Sequence, residues 1–225
     1  MFATGLEVRA AALEAQGTHL GAPRRLFVEG GRRQLMALLH HGLTPSSRVL
    51  DIGCGALRAG YWLIHFLETG CYFGIEPDAE MLAGGIEHIL EPGLADEKKP
   101  IFDSNGSFDF GVFGTAFDFF LARSIWTHAP KRAIEATLDG FSASAKAEAV
   151  LLASFLPASW WRGNDYWGSD WRFVKSARNR ECGMLRHSLR WIRHACAQRG
   201  LVVQVVVNPA FDFGDQTWLC IRSAS

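Results

Sequence analysis

The sequence lacks the features of a membrane-spanning protein, a nucleic-acid-binding protein or a metalloprotein. Its apolar runs are too short to span a bilayer, and no charged-then-apolar leader opens it. It has 23 basic and 23 acidic residues, so no net field attracts nucleic acid or a membrane surface. The five cysteines show no metal-ligand spacing, which favours reduced thiols in a cytoplasmic protein. We therefore expect one globular domain, since 48% of its 225 residues are hydrophobic.

One stretch combines a short apolar run with two glycines and a later acid. Residues 49–52 are apolar except for Asp51 and predict a strand, which ends at Gly53 and Gly55. A mostly apolar helical pattern follows, and the next strand-like run ends in Glu76. This order of strand, glycine turn, helix, strand and acid predicts a βαβ unit with a ligand site at the carboxyl ends of its strands.

Each residue type in this stretch has a chemical use at such a site. Gly53 and Gly55 lack a Cβ, so a ligand can lie against the loop that also contains Cys54. The helix that follows directs its free N–H groups at the ligand. Glu76 can accept two hydrogen bonds from a ribose diol. Asp51 either accepts from a cationic amine or orients the loop.

Two known kinds of nucleotide site share this arrangement. A dinucleotide fingerprint needs a third glycine where this chain has Arg58, and it has no acid at the position of Asp51. The string from Asp51 to Gly55, with Glu76 ending the next strand, resembles the class I S-adenosylmethionine (SAM) dependent methyltransferases. The longer strings 49–60 and 72–77 are similar to a bacterial branch of that superfamily that acts on small molecules.

The resemblance implies an α/β fold with helices on both faces of a seven-stranded, mostly parallel sheet and an N-terminal helical cap. The implied strand order is 3-2-1-4-5-7-6, with the last strand antiparallel. The alternation of strand and helix patterns along the chain agrees with this fold. Within a single domain we expect a cap at 1–45, a cofactor-binding half at 46–155, an aromatic lid-like insertion at 156–183, and the last helix with a terminal hairpin at 184–225.

The same resemblance implies further contacts to the cofactor. Pro77 is expected against the adenine edge, and Asn105 lies near the position that usually meets the adenine amine. Arg123 and Ser124 lie where the superfamily contacts the methionine part of SAM. Either Arg123 or Arg58 would pair with the methionine carboxylate, and either side chain would equally suit a structural ion pair.

Aromatic side chains are concentrated after the fifth predicted strand. Residues 157–172 follow neither the helix nor the strand period, and they lie at the sheet end where the ligand is expected. Aromatic faces suit an apolar or aromatic acceptor and attract a sulfonium. The alternative is a hydrophobic cluster that only stabilises a long loop. The expected substrate-contacting residues are Trp126, Trp160, Trp161, Tyr166 and Trp167.

His128 is the leading candidate for a general base, because its usual pKa suits proton removal and it follows the fourth strand. The alternative is a histidine that caps or packs at the start of a helix. Asp165, Tyr166 and His187 are weaker candidates. No set of His, Asp and Glu residues shows metal-ligand spacing, so no metal is expected.

These observations predict SAM-dependent methyl transfer to an oxygen or nitrogen of a small-molecule acceptor, with S-adenosylhomocysteine as product. The alternatives are a nicotinamide-dependent oxidoreductase and a SAM-binding module without catalysis. A nucleic-acid methyltransferase is disfavoured by the balanced charge and by the absence of an Asn/Asp-Pro-Pro-Tyr/Phe signature. The sequence leaves monomer and homodimer open.

Overall fold

The computed structural model describes residues 5–18, 20, 26–160, 163–171, 184–211 and 215–224. The chain forms two compact units, Met1–Gly106 and Ser107–Ser225. The helices and strands of the first unit are α1 (Gly5–Ala15), α2 (Phe27–His40), β1 (Val49–Ile52), α3 (Gly60–Phe66), β2 (Tyr72–Ile75), α4 (Ala79–Gly84) with a π-helical turn (Gly85–Ile89), α5 (Leu94–Lys98) and β3 (Ile101–Asp103). Those of the second are a 3₁₀ turn (Phe110–Phe113), β4 (Phe117–Ala122), α6 (Lys131–Ser144), β5 (Ala145–Phe155), α7 (Leu189–Ala197), β6 (Leu201–Val206) and β7 (Thr217–Ser223).

The described residues form a seven-stranded sheet in the order β3-β2-β1-β4-β5-β7-β6. In the first unit β1 pairs with β2 and β2 with β3, both in parallel. In the second unit β4 and β5 are parallel, whereas β7 runs antiparallel to both β5 and β6. This confirms the predicted fold class and strand order, including the antiparallel last strand.

The central strands form where the sequence has short apolar runs. All four residues of β1 and five of the six in β4 are buried, as expected for parallel strands covered on both faces. α6 begins after Pro130, which occupies the N-cap position and needs no N–H there. The spacing of Ile134, Leu138 and Phe141 predicts one buried face for this helix, and all three are fully buried.

Three boundaries differ from the predictions. The helical pattern in the sequence begins at Ala56, but α3 starts at Gly60, because the turn before it places Leu57 at a φ of 60°. The apolar stripe of the last helix begins at Leu185 in the sequence, but α7 starts at Leu189, since the Ser188 hydroxyl caps it by accepting from the Trp191 N–H. The apolar run of the fifth strand begins at Ala149, but β5 starts four residues earlier, at Ala145, with residues that carry no apolar pattern.

No helix among the described residues is long and apolar enough to cross a bilayer. Over the same residues, no group of three or more His, Cys, Asp and Glu side chains is arranged to hold a metal ion.

Candidate functional site

The glycine loop after β1 is fastened to the end of β2. The backbone N–H groups of Gly53 and Cys54 both donate to the Ile75 carbonyl, at 2.8 and 3.1 Å. Gly55 adopts a φ of 55°, in the left-handed region that other residues rarely occupy. The loop therefore turns directly beside Glu76, as the predicted βαβ unit requires.

Glu76 connects the carboxyl ends of β1 and β2. Its Oε2 accepts from the Gly55 N–H at 2.9 Å and its Oε1 accepts from the Asp78 N–H at 3.0 Å. Burial raises the pKa of this half-buried carboxyl, while these two backbone bonds lower it. An ionised carboxylate offers about four acceptor positions, so roughly two remain for a ligand diol.

Asp51 is the buried acid beneath the glycine loop. Its side chain is only 4% exposed, and Oδ2 accepts from the Tyr72 hydroxyl at 2.9 Å. Burial, together with a smaller effect of the nearby Glu76 carboxylate, raises the pKa of Asp51 to about 7, although the hydrogen bond from Tyr72 lowers it. Burial and the same two acids also raise the pKa of the Cys54 thiol well above its usual range.

Arg58 is directed at the N-terminal segment of its own unit. Its Nη2 donates to the Leu20 carbonyl at 2.6 Å, and the guanidinium lies 5.6 Å from the centre of the Phe27 ring. Burial lowers the pKa of Arg58 to about 10. These contacts tie the cap segment to the turn that follows the glycine loop, a role that the sequence did not indicate.

Pro77 and Asn105 lie at the same strand edge as Glu76. The Glu76 N–H donates to the Asp103 carbonyl at 3.1 Å, which sets the end of β3 beside the end of β2. Asp103 Oδ1 accepts from both the N–H and the side-chain amide of Asn105, at 2.8 and 2.6 Å. The structure thus brings together the predicted ribose residue and the two residues predicted near the adenine.

In the second unit, Arg123 and Ser124 belong to a polar network at the end of β4. The Ser124 N–H donates to the Ser154 hydroxyl at 2.8 Å, and Arg123 Nη1 donates to the same hydroxyl at 3.0 Å. Arg123 also donates to Gln216 Oε1, and the Gln216 amide donates to the Ser124 hydroxyl at 2.6 Å. Ser124 adopts a φ of 65°, a strained value for a residue with a side chain.

Ser154 and Gln216 were not predicted as site residues. The available signal was a lone hydroxyl near the end of the apolar strand β5 and an amide directly before β7. Neither residue type has a distinctive spacing, so only the fold shows that they meet.

Trp126 and His128 occupy the loop between β4 and α6. Trp126 is fully buried, so the side chain predicted to contact substrate packs inside the second unit. The His128 ring is half-buried and its backbone N–H donates to the Ile125 carbonyl at 3.0 Å. The role of His128 as a base stays a prediction.

The aromatic segment divides into exposed and anchored parts. Trp160 and Trp167 are 89% and 72% exposed, as a surface for a bound molecule requires. Trp171 stacks on Phe108 at 6.0 Å, and the Tyr166 hydroxyl donates to the Asp170 carbonyl at 3.1 Å. Trp161 lies outside the described residues.

Lys131, in the first turn of α6, anchors this segment. Its Nζ donates to Asp165 Oδ1 at 2.6 Å and to the Tyr166 carbonyl at 2.8 Å. The ammonium also lies 4.2 and 4.6 Å from the ring centres of Trp167 and Trp191. Asp165 is therefore committed to an ion pair, which makes it a poor base.

His187 also has a structural position. The ring is fully buried and Nε2 lies 3.1 Å from the Ala129 carbonyl. Burial, and then the positive charge of Lys131, lower the pKa of His187 to about 4. A buried imidazole of that basicity is unsuited to proton removal near neutral pH.

Replacing Lys131 with Met should loosen the aromatic segment, because the change removes the ion pair and both cation–π contacts. We expect the free energy of unfolding to fall by about 1–3 kcal/mol. Chymotrypsin should also cleave the segment 157–171 faster than in the unaltered protein. Chymotrypsin digestion followed by mass spectrometry measures the cleavage. The matched control is Lys146→Met, which breaks an exposed pair with Asp118. Equal cleavage rates in the two variants would contradict the anchoring role.

Comparison with known proteins places the fold. No family model matches the sequence, and no curated protein matches it. The magnesium protoporphyrin IX methyltransferase ChlM from Synechocystis PCC 6803, solved with SAH, matches with a TM-score of 0.61 at 16% identity over 96% of this chain and 94% of that chain. The DhpI-SAM-HEP complex gives the same values. The mitomycin 7-O-methyltransferase MmcR matches with a TM-score of 0.60 at 15% identity, over 89% of this chain and 55% of that one. The chain therefore has the fold that these methyltransferases share.

Proposed function

We propose that this protein is an enzyme that transfers the methyl group of SAM to an oxygen or nitrogen of a small-molecule acceptor. Glu76 would bind the ribose diol, and the loop of Gly53, Cys54 and Gly55 would face the cofactor. The other proposed cofactor contacts are Asp51, Arg58, Pro77, Asn105, Arg123 and Ser124.

The observation that carries the proposal is the pair of acids at the glycine loop. Asp51 is buried, Glu76 is half-buried, and each lies where burial opposes its ionisation. SAM brings a sulfonium and an ammonium, whose positive charges favour the ionised acids. A nicotinamide dinucleotide would instead bring an anionic pyrophosphate toward the same loop. The electrostatics of the site therefore favour SAM.

Methyl transfer needs little chemistry from the protein. The methyl on a sulfonium is already activated, so the site must hold acceptor, methyl and sulfur in line and exclude water. His128 would remove a proton from the acceptor where one must leave. The acceptor wall would be formed by Trp160, Tyr166 and Trp167, since the fully buried Trp126 offers no surface to an acceptor.

An aromatic acceptor fits this wall. The exposed faces of Trp160 and Trp167 offer flat apolar surface for stacking. Among structures of the same fold, the O-methyltransferase NcsB1 was solved with SAH and 1,4-dihydroxy-2-naphthoic acid, at a TM-score of 0.54 and 14% identity. We therefore propose small aromatic hydroxyl compounds as the first acceptors to screen.

Titration calorimetry of SAM into the protein and into Glu76→Gln tests the cofactor. Glutamine keeps the size but replaces a charged acceptor with an amide, so we expect SAM affinity to fall about 5- to 150-fold, equivalent to about 1–3 kcal/mol. The matched control is Glu87→Gln, an acid that is 76% exposed on the π-helical turn of the same unit. Formation of S-adenosylhomocysteine with an acceptor then separates an enzyme from a SAM-binding module. Well-folded protein that binds nicotinamide cofactors and not SAM would refute the proposal.

A further inference from the structure

The Tyr72 hydroxyl is buried near the glycine loop, in a space that neighbouring glycines leave open. The side chain is 2% exposed, and its ring packs edge-on against Phe102. A Cβ on Gly60 would lie 2.6 Å from the hydroxyl oxygen, closer than real contacts allow. The glycine at the start of α3 therefore leaves room for this hydroxyl, and the hydroxyl donates to Asp51.

A second glycine makes room for the next polar group. A Cβ on Gly74 would lie 2.9 Å from the Cys54 sulfur, which is buried beside the same carboxyl. In the described part of the first unit, the ionisable groups that face Asp51 are the Tyr72 hydroxyl, the Cys54 thiol and the Glu76 carboxylate. All three groups are neutral when protonated and negative when deprotonated, so none can balance an ionised Asp51. The balancing positive charge is therefore expected from a ligand.

Asp51 is thus held between two protonation states. Burial favours the neutral acid, whereas the hydrogen bond donated by Tyr72 favours the carboxylate. Only Oδ2 takes part in that bond. A cation bound near the other oxygen would complete the set of interactions that a buried carboxylate needs.

We propose that Tyr72 is a positioning residue for cofactor binding: its hydroxyl holds one oxygen of Asp51 so that the carboxylate presents its other oxygen to the cationic part of SAM. This inference rests on the proposed function. It implies that SAM binds most tightly when Asp51 is ionised. At pH values where Asp51 is protonated in the free protein, binding of SAM releases one proton from Asp51 to solvent.

The pH dependence of SAM affinity tests this role. Calorimetry from pH 5.5 to 8.5 should show affinity rising by up to tenfold per pH unit and then reaching a plateau. In Tyr72→Phe the lost hydrogen bond should move the onset of the plateau upward by about one pH unit, with about tenfold weaker binding below it and little loss above it. In Asp51→Asn the proton-linked rise should disappear. Tyr61→Phe is the matched control, because its hydroxyl bonds Glu91 instead.

The outcomes separate this inference from the proposed function. If Tyr72→Phe weakens SAM equally at every pH, or leaves the whole curve unchanged, Tyr72 is only a packing residue and the inference is wrong. If the unaltered protein binds no SAM at any pH, the proposed function fails first. Phenylalanine fills the same ring space, and thermal unfolding of each variant at pH 8 checks that the fold is kept.

Discussion

Asp51→Asn should make the protein more stable above pH 7 while weakening its hold on SAM. Burial raises the pKa of Asp51 to about 7, so the folded state must ionise a buried carboxyl at higher pH. Asparagine keeps the shape and can still accept from the Tyr72 hydroxyl, but it carries no charge. A shift of about three units at about 1.4 kcal/mol per unit sets an upper limit of ~4 kcal/mol for the gain.

The direction of the pKa shift of Asp51 determines the pH range over which the protein loses stability. The raised folded-state pKa means that the contribution of Asp51 to stability is fully present below about pH 4 and is lost as pH rises through 7. The difference between Asp51→Asn and the unaltered protein should therefore be small near pH 4 and largest above pH 7. Urea unfolding at pH 4.5, 6 and 8 measures this difference.

The buried His187 changes the stability of the protein with pH in the opposite direction to Asp51 between about pH 4 and 6.5. Its folded-state pKa is lowered to about 4, so its contribution is present above the unfolded value of about 6.5 and is lost as pH falls toward 4. In the unaltered protein the two slopes partly cancel. Asp51→Asn removes one of them, so its stability should rise more steeply between pH 4 and 6.5.

The control for Asp51→Asn is Asp96→Asn, which replaces an exposed acid in α5. The control should be no more stable than the unaltered protein at pH 8, since Asp96 ionises in contact with solvent. If Asp51→Asn is no more stable than the unaltered protein at pH 8, the buried carboxyl is not a source of destabilisation and the electrostatic argument for a cationic ligand loses its support.

The parts of the fold that could be predicted are those that local pattern encodes. β1 and β4 are short apolar runs, and Glu76 directly follows β2, the next apolar run after the glycine loop. The glycine loop was predictable because two closely spaced glycines directly after a buried strand, Gly53 and Gly55, are typical of a tight turn with unusual backbone angles. These features depend on near neighbours in sequence, so no tertiary information was needed.

The contacts that the sequence did not reveal join residues far apart in the chain. Lys131 meets Asp165 across 34 positions, and Arg123 meets Gln216 across 93. Lysine in the first turn of a helix normally indicates a solvated surface, and nothing in its neighbours shows that two tryptophans will enclose it. Residue type alone does not distinguish a ligand-binding cation from a structural one.

Gly31→Ala should be strongly destabilising, although it exchanges glycine for the best helix former inside α2. A Cβ at this position would lie 1.9 Å from the Arg58 carbonyl oxygen and 2.8 Å from Trp62 Cδ1. The first of these atoms belongs to the backbone, so no side-chain rotation can relieve the clash. α2 must move away from the start of α3, and we expect a loss of about 3 kcal/mol, or ~10 °C in Tm.

The same displacement should reach the cofactor site. Arg58 lies three residues after Gly55, and its side chain also holds the Leu20 carbonyl, so moving its backbone disturbs the loop and the cap segment together. We therefore expect weaker SAM binding in Gly31→Ala at temperatures where it remains folded. Gly5→Ala is the matched control, since its Cβ would meet only the flexible end of Arg9 at 3.4 Å. Thermal unfolding and SAM titration of both variants measure the two effects, and a Gly31→Ala protein as stable as Gly5→Ala would show that α2 and α3 do not pack at this distance.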